Sequence, residues 1–324
     1  MAQLRFVMAE GTAPNLDIEK EYLKGQDVDI RITPLDTADA VGRETEDADA
    51  VIVGTEPMSR PFIERFGPKV KIIGRAGIGL DAIDMDAARE HGVAVFHTPD
   101  YATEEVATHA LALILALNRR IVEGDAVARS DWPAYESLLP VKPLSEQVVG
   151  IVGLGRIGRA VIERLVPFRS TMLGFDPFVD SPVPGVERAA SLDDLLTRAD
   201  IVTLHLPVTP ETVKVIGRRE IGLLRPGALL INVSRGRLID EEALVEALAG
   251  NRIRAGLDVV TTEPPPKDAP ILTAPNALLS PHFAWYSDSS QRRVRTETLA
   301  GVLNYLRDEP LQTGRLVVDP RVSA

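Results

Sequence analysis

Three residues whose side chains suit proton transfer and anion binding each follow a short apolar run. Arg235 follows residues 228–233, Glu263 comes soon after residues 254–259, and His282 follows residues 277–280. In an open α/β sheet, ligands bind beyond the carboxyl ends of the strands. Strands at these runs therefore bring an arginine, an acid and a histidine to one rim. An imidazole, with an ordinary pKa of about 6.5, gives and takes protons near neutrality. A carboxylate on its other ring nitrogen fixes the tautomer and steadies the charged ring. A guanidinium grips an α-keto carboxylate through two parallel charge-assisted hydrogen bonds and polarises the adjacent carbonyl. The three together suit a reaction in which an oxygen exchanges a proton while its carbon exchanges a hydride. A surface arginine, a loop acid and a turn histidine are the plainer alternatives for each residue taken singly.

Hydride transfer needs a carrier, and a second constellation names one. Val148-Val149-Gly150-Ile151-Val152 reads as a buried strand, and Gly153-Leu154-Gly155-Arg156-Ile157-Gly158 follows it as a G-x-G-x-x-G turn opening a helix. Gly153 permits the tight turn, Gly155 lets backbone approach a pyrophosphate, and Gly158 lets helix pack on strand. The helix start at Arg156 and Ile157 offers unpaired N–H groups to phosphates. The next apolar run, residues 171–175, ends in Asp176. A carboxylate there accepts hydrogen bonds from a ribose 2′-OH and repels a 2′-phosphate. Pro177 and Phe178 follow it rather than an arginine, so NAD is expected over NADP. Asp176 as a simple turn former before Pro177 stays open. The later strand ends, Leu206 and Pro207 at the close of residues 201–206 and Val233 and Ser234 beside Arg235, complete the expected cofactor surface.

These residues need two sheets to position them. The first hundred residues alternate apolar runs (4–9, 28–32, 50–54, 70–74 and 93–96) with helix-like segments at 19–24, 61–66 and 85–91, which reads as a small parallel β/α unit. Residues 103–121 form an apolar helix with Glu104 and Glu105 in its first turn. It is expected to be buried on most faces, between domains or between subunits, and its His109 reads as structural. Six runs from 148 to 280 alternate with helices, the pattern of a doubly wound parallel sheet. An amphipathic helix at 289–306 follows, and residues 310–324 read as a short Pro-punctuated tail. The expected division is 1–99 plus 286–324 against 100–285.

Bulk composition narrows the function classes. A length of 324 residues suits about two domains. The absence of cysteine excludes disulfides, thiol nucleophiles and thiolate metal sites, and no metal site is expected. A net charge of −11 argues against direct nucleic-acid binding. The chain has no run of about 18 apolar residues for a membrane span, and its first residues lack a signal-peptide pattern. A cytoplasmic protein acting on a small molecule is the expectation.

The segments Gly74-Arg75-Ala76-Gly77-Ile78-Gly79-Leu80-Asp81, Gly153 to Gly158, Asn232-Val233-Ser234-Arg235-Gly236, Gly256-Leu257-Asp258-Val259, Thr262-Glu263-Pro264 and Ser280-Pro281-His282 occur in the order of one family. Through them the chain resembles the NAD-dependent D-2-hydroxyacid dehydrogenases. The resemblance implies a Rossmann dinucleotide-binding domain inserted in a flavodoxin-like substrate domain. It implies interconversion of a 2-keto acid and a D-2-hydroxy acid, with His282 as proton donor and acceptor, Glu263 as its partner and Arg235 as the substrate-polarising arginine. Backbone N–H groups around Ala76, Gly77 and Ile78 would cradle the substrate carboxylate. Arg75 would either help hold it or pack the loop. Asp258 would bond the nicotinamide amide, and a homodimer is expected.

Ala284-Trp285-Tyr286-Ser287 is similar to the C-terminal-binding-protein branch. There Trp285 would wall a pocket for a bulky or apolar side chain, packing being its plainer role. That branch also raises an alternative function, an NAD(H)-sensing corepressor-like binding protein. Departures from the family pattern are Ala82, where relatives place asparagine, and the run Pro264 to Pro266 directly after Glu263. The Glu–His pair argues against a formate dehydrogenase, whose site resembles a Gln–His pair.

Overall fold

The computed structural model describes residues 3–322. In chain order its elements are β1 (Leu4–Ala9), α1 (Asp17–Tyr22), β2 (Val28–Thr33), α2 (Ala38–Thr45), β3 (Ala50–Val53), α3 (Arg60–Ile63), β4 (Ile72–Arg75), α4 (Met85–Glu90) and β5 (Ala94–His97). Then come α5 (Thr103–Asn118), α6 (Ile121–Ser130), β6 (Val148–Val152), α7 (Arg156–Leu165), β7 (Thr171–Phe175), β8 (Glu187–Arg188), α8 (Leu192–Arg198) and β9 (Ile201–Leu204). The chain finishes with α9 (Arg218–Leu223), β10 (Ala228–Asn232), α10 (Glu241–Ala249), β11 (Ile253–Leu257), β12 (Ala277–Leu279), α11 (Asp288–Leu306) and β13 (Arg315–Val318). Two compact α/β units result, Met1–Ala102 with Ser287–Ala324, and Thr103–Tyr286. Residues 1, 2, 323 and 324 of the expected division lie outside the described residues.

The first unit holds a sheet in the order β13-β5-β4-β3-β1-β2. Its strands β1 to β5 pair in parallel, and β13 pairs antiparallel to β5. The chain reverses direction across the sheet between β1 and β3. The segment read in sequence as a short Pro-punctuated tail supplies an edge strand. Leu316 sits opposite Phe96 in that pairing. The Phe96 ring is what binds the late segment to the early one. It is fully buried, and a Cβ on either Gly301 or Gly314 would stand 2.1 Å from the ring. Only glycine allows α11 and the entry to β13 to close over an aromatic ring so tightly. Alongside, the buried Arg295 guanidinium donates to both oxygens of the buried Glu19 carboxylate and to Asn15 O.

The second unit is a seven-stranded sheet in the order β12-β11-β10-β9-β6-β7-β8, parallel at every pairing. Its strands read as near-continuous apolar runs because helices cover both faces. The direction of winding changes between β6 and β9, so the loops after those strands flank the place where ligands enter such sheets.

Three further differences from the sequence reading have local causes. The helix expected over 103–121 stops at Asn118 because Arg120 is left-handed (φ 52°), and α6 starts anew at Ile121. Helix α2 was not foreseen, although Thr37 caps it through Ala40 N. The two-residue β8 falls below the length at which a strand shows in sequence. Among the described residues, no helix is long and apolar enough to cross a membrane, and no cluster of three or more His, Asp or Glu could hold a metal.

Candidate active site

The turn after β6 is shaped by contacts that a side chain would spoil. Gly153 has φ 97°, and a Cβ there would lie 2.5 Å from His205 O. At Gly158 a Cβ would stand 2.0 Å from Gly153 O, so this glycine sets the distance between α7 and the turn. Gly155, the N-cap of α7, faces open space, with nothing within 4 Å of a Cβ built on it. Two glycines thus close the turn and the third leaves room for a ligand at the helix N-terminus, where Arg156 and Ile157 begin the helix. These features fit a pyrophosphate.

Asp176 does two things. Its Oδ2 accepts from Leu154 N–H at 2.9 Å and its Oδ1 from Phe178 N–H at 2.9 Å. It therefore ties the glycine turn to the end of β7 while remaining partly exposed. After β9, burial pushes the His205 imidazole down to about 3, so this ring is neutral. Its Nε2 lies 3.0 Å from Thr203 Oγ1. Leu206 packs on the core, the Pro207 carbonyl accepts from Thr212 Oγ1 at 2.7 Å, and Val233 is buried.

The rim beyond β10 to β12 carries the three reactive side chains. Asn232, fully buried, pins the arginine loop from both sides: its Nδ2 donates to Arg235 O at 2.8 Å and its Oδ1 accepts from Ser234 N–H at 3.0 Å. Ser234 Oγ donates to Leu204 O at 2.8 Å. At Gly236 a Cβ would stand 2.0 Å from the Val260 carbonyl, so the arginine loop lies directly on the segment leading to Glu263. That carboxylate accepts Val260 N–H on Oε1 at 3.0 Å and meets His282 Nδ1 with Oε2 at 2.5 Å. The prolines after Glu263 do not prevent this reach. Burial works against charging the Glu263 carboxyl, but the His282 hydrogen bond and charge, the Val260 N–H and the nearby Arg235 charge outweigh it. They hold it below the ordinary 4.5. The carboxylate is therefore available to stabilise an imidazolium.

His282 itself is left-handed, with φ 53°. Its N–H donates to Asp258 O at 2.7 Å. Asp258 is 1% exposed, and its carboxylate accepts from Ser280 Oγ at 2.5 Å and from Phe283 and Ala284 N–H at 2.9 Å each. A carboxylate so buried and bonded to Ser280, Phe283 and Ala284 fastens the histidine loop. Sequence reasoning assigned no role to Asn232, Ser280 or Asp258's loop contacts. Asn232 and Ser280 were visible only as members of matching segments. Trp285 packs edge-on against Tyr286, which stacks on Phe283.

In the first unit the loop after β4 also differs from expectation. Ala76 N–H donates to Val53 O at 2.8 Å, extending the sheet by one residue, and Gly77 N–H is taken by Arg75 O at 2.8 Å and Thr98 Oγ1 at 3.2 Å. Two of the three N–H groups expected to cradle a carboxylate are thus already bonded. Among the described residues, the N–H groups of Ile78 and Gly79 have no hydrogen-bond partner. Arg75, 8% exposed, directs Nε to Gly79 O at 2.9 Å and Nη1 to Ala76 O at 2.5 Å, so it braces this loop. Ala82 keeps the following segment in place through its backbone, its carbonyl accepting Met58 N–H at 2.8 Å.

Residues 111–284 match the family model described as "D-isomer specific 2-hydroxyacid dehydrogenase, NAD binding domain". A D-3-phosphoglycerate dehydrogenase of Methanocaldococcus jannaschii is 38% identical over 281 residues, covering 84% of this chain and 52% of the relative. The chain thus spans about half the length of that relative. A hydroxypyruvate reductase of Blautia hydrogenotrophica is 32% identical over 274 residues, 82% of this chain and 84% of the relative. Among solved structures, a D-lactate dehydrogenase of Aquifex aeolicus complexed with NAD and lactic acid superposes with a TM-score of 0.83 at 28% identity, covering 94% of this chain and 96% of that one. On the family match and these identities, the chain belongs to the D-isomer-specific 2-hydroxyacid dehydrogenases and carries their NAD-binding domain.

Proposed function

We propose that the protein is an NAD-dependent oxidoreductase that interconverts a 2-keto acid and a D-2-hydroxy acid. The observation that carries this reading is the His282 Nδ1 to Glu263 Oε2 contact of 2.5 Å, on a rim that also presents Arg235. When bound at the glycine turn, the nicotinamide cofactor supplies or accepts the hydride. In reduction, His282 gives a proton from Nε2 to the substrate oxygen, and in oxidation it takes that proton back. Glu263 holds the imidazole by Nδ1, leaving Nε2 toward substrate, and offsets the positive charge. Arg235 pairs with the substrate carboxylate and polarises the carbonyl. The free N–H groups of Ile78 and Gly79 suit a carboxylate oxygen. Asp176 favours NAD over NADP.

Finer readings belong to the same proposal. The Ala284 to Ser287 segment supports a C-terminal-binding-protein-like branch, with Trp285 favouring an apolar or bulky substrate side chain. Against that stand the hydroxypyruvate reductase and phosphoglycerate dehydrogenase names of the relatives. A homodimer rests on resemblance, and a cytoplasmic location on the composition of the chain. A panel of 2-keto acids, from pyruvate and hydroxypyruvate to its phosphate and branched or aromatic acids, incubated with NADH and with NADPH, tests the reading. NADH consumption with at least one acid, and a D product, is the expected result. No turnover with any acid, alongside tight NADH binding, would instead favour a sensor that only binds the cofactor.

A further inference from the structure

The loop that carries His282 is fastened from a side that hydride transfer does not use. Helix α5 lies close on β11 because Gly256 has no side chain: a Cβ there would stand 3.1 Å from Leu113 Cβ and from Leu117 Cδ1. His109 is one turn before Leu113 on the same helix face. Its Nε2 reaches 2.8 Å from Ser280 Oγ and 3.5 Å from Asp258 Oδ1. Ser280 Oγ in turn is 2.5 Å from Asp258 Oδ1.

A proton inventory sets the direction of this chain. Asp258 accepts Phe283 N–H on Oδ1 and Ala284 N–H on Oδ2, the pattern of an acceptor-only carboxylate. Ser280 therefore gives its hydrogen to Asp258, and its oxygen accepts from His109 Nε2–H. The serine stands between imidazole and carboxylate with its proton turned away from the ring. That is the wrong order for a nucleophilic serine, in which the base takes the hydroxyl proton. What remains is orientation. The Asp258 backbone takes His282 N–H and its side chain takes the next two N–H groups. These bonds surround a residue at φ 53°, a left-handed conformation that a β-carbon disfavours.

We propose that His109 and Ser280 are positioning residues for proton transfer. They act through Asp258 to hold His282 in its left-handed conformation against Glu263. This rests on the reading that His282 moves the proton.

Four variants test it: Ser280→Ala and His109→Leu break the chain, while Ser280→Thr and His109→Gln keep a hydroxyl and an Nε2–H. Breaking variants should lower kcat about 10- to 100-fold through misplacement of the imidazole, leave NADH affinity unchanged, and be rescued by the conservative ones. Added to His282→Ala, His109→Leu should cost nothing more, because both act at one group. Additive losses, or a His109→Gln variant as impaired as His109→Leu, would overturn the proposal. A second readout needs no turnover. The nitrogen-15 NMR signals of the His282 ring should change in Ser280→Ala and stay as in wild type in Ser280→Thr; an unchanged spectrum in Ser280→Ala overturns the proposal. If the spectra change as expected and the wild type reduces no 2-keto acid, the functional reading fails and the positioning chain stands.

Discussion

From the end of β4 the chain reads Gly-Arg-Ala-Gly-Ile-Gly, and after β6 it reads Gly-Leu-Gly-Arg-Ile-Gly. Similar strings give different loops. At Gly77 (φ 151°) a Cβ would stand 2.4 Å from Arg75 Nη1, and the loop is filled by its own arginine. At Gly155 the same Cβ would meet nothing. The first loop continues its sheet through Ala76 N–H and leaves Ile78 and Gly79 N–H to a ligand. The second runs straight into a ten-residue helix whose N-terminal N–H groups converge outward. A glycine pattern therefore identifies a close backbone approach. Whether the approaching group is the protein's own side chain or a ligand depends on the segment into which the loop leads.

If the β6 turn and its rim carry the chemistry while the β4 loop contributes only anion binding, substitutions should separate by size and by kinetic parameter. The largest effect is expected at the rim. His282→Ala should lower turnover about 10²- to 10⁴-fold while NADH still binds, measured by steady-state rates and fluorescence titration. Arg235→Lys comes next. A point charge replaces a planar fork, and loss of a charged hydrogen bond worth about 1.5–3 kcal/mol should lower kcat/KM about 10- to 100-fold. The β4 loop should respond differently. Arg75→Met removes the brace, so KM for the keto acid should rise about 5- to 10-fold with NADH affinity untouched. A fall in NADH affinity in that variant would erase the contrast between the loops.

The smallest effect is a shift rather than a loss. The Glu263 carboxyl is held below 4.5, so it stays charged as pH falls to that value and loses charge only below it. Any stability it contributes is likewise present above the ordinary value and lost as pH falls through the lowered one. Throughout that window its negative charge faces the His282 ring. Glu263→Gln removes that charge. The pH at which acid begins to lower the melting temperature should therefore shift in the variant, and an unshifted acid limb would contradict the lowered carboxyl.

Much of the second unit was legible because its strands are unbroken apolar runs bounded by turn residues. The spans 148–152 and 171–175 coincide with β6 and β7. Arg235, Glu263 and His282 could be placed on a rim because each comes shortly after such a run. Other features depend on tertiary contacts that leave no local mark. The tail pairs as β13 beside Phe96, which Gly301 and Gly314 cover. The break at Arg120 is a backbone choice with no glycine or proline to announce it. Asp258 matched a family segment, but its buried task became visible only with the N–H groups of Phe283 and Ala284 around it. His109 reads as one more residue of an apolar helix until Ser280 is seen beside it.

A crystal structure with NADH and an oxamate-type analogue that cannot be reduced would test the catalytic arrangement most directly. Pyrophosphate should lie at Gly155, the Arg235 guanidinium on the analogue's carboxylate, and His282 Nε2 within about 2.6–3.2 Å of the oxygen that would be protonated. An imidazole turned away from that oxygen, or a dinucleotide bound elsewhere than at Gly155, would contradict it.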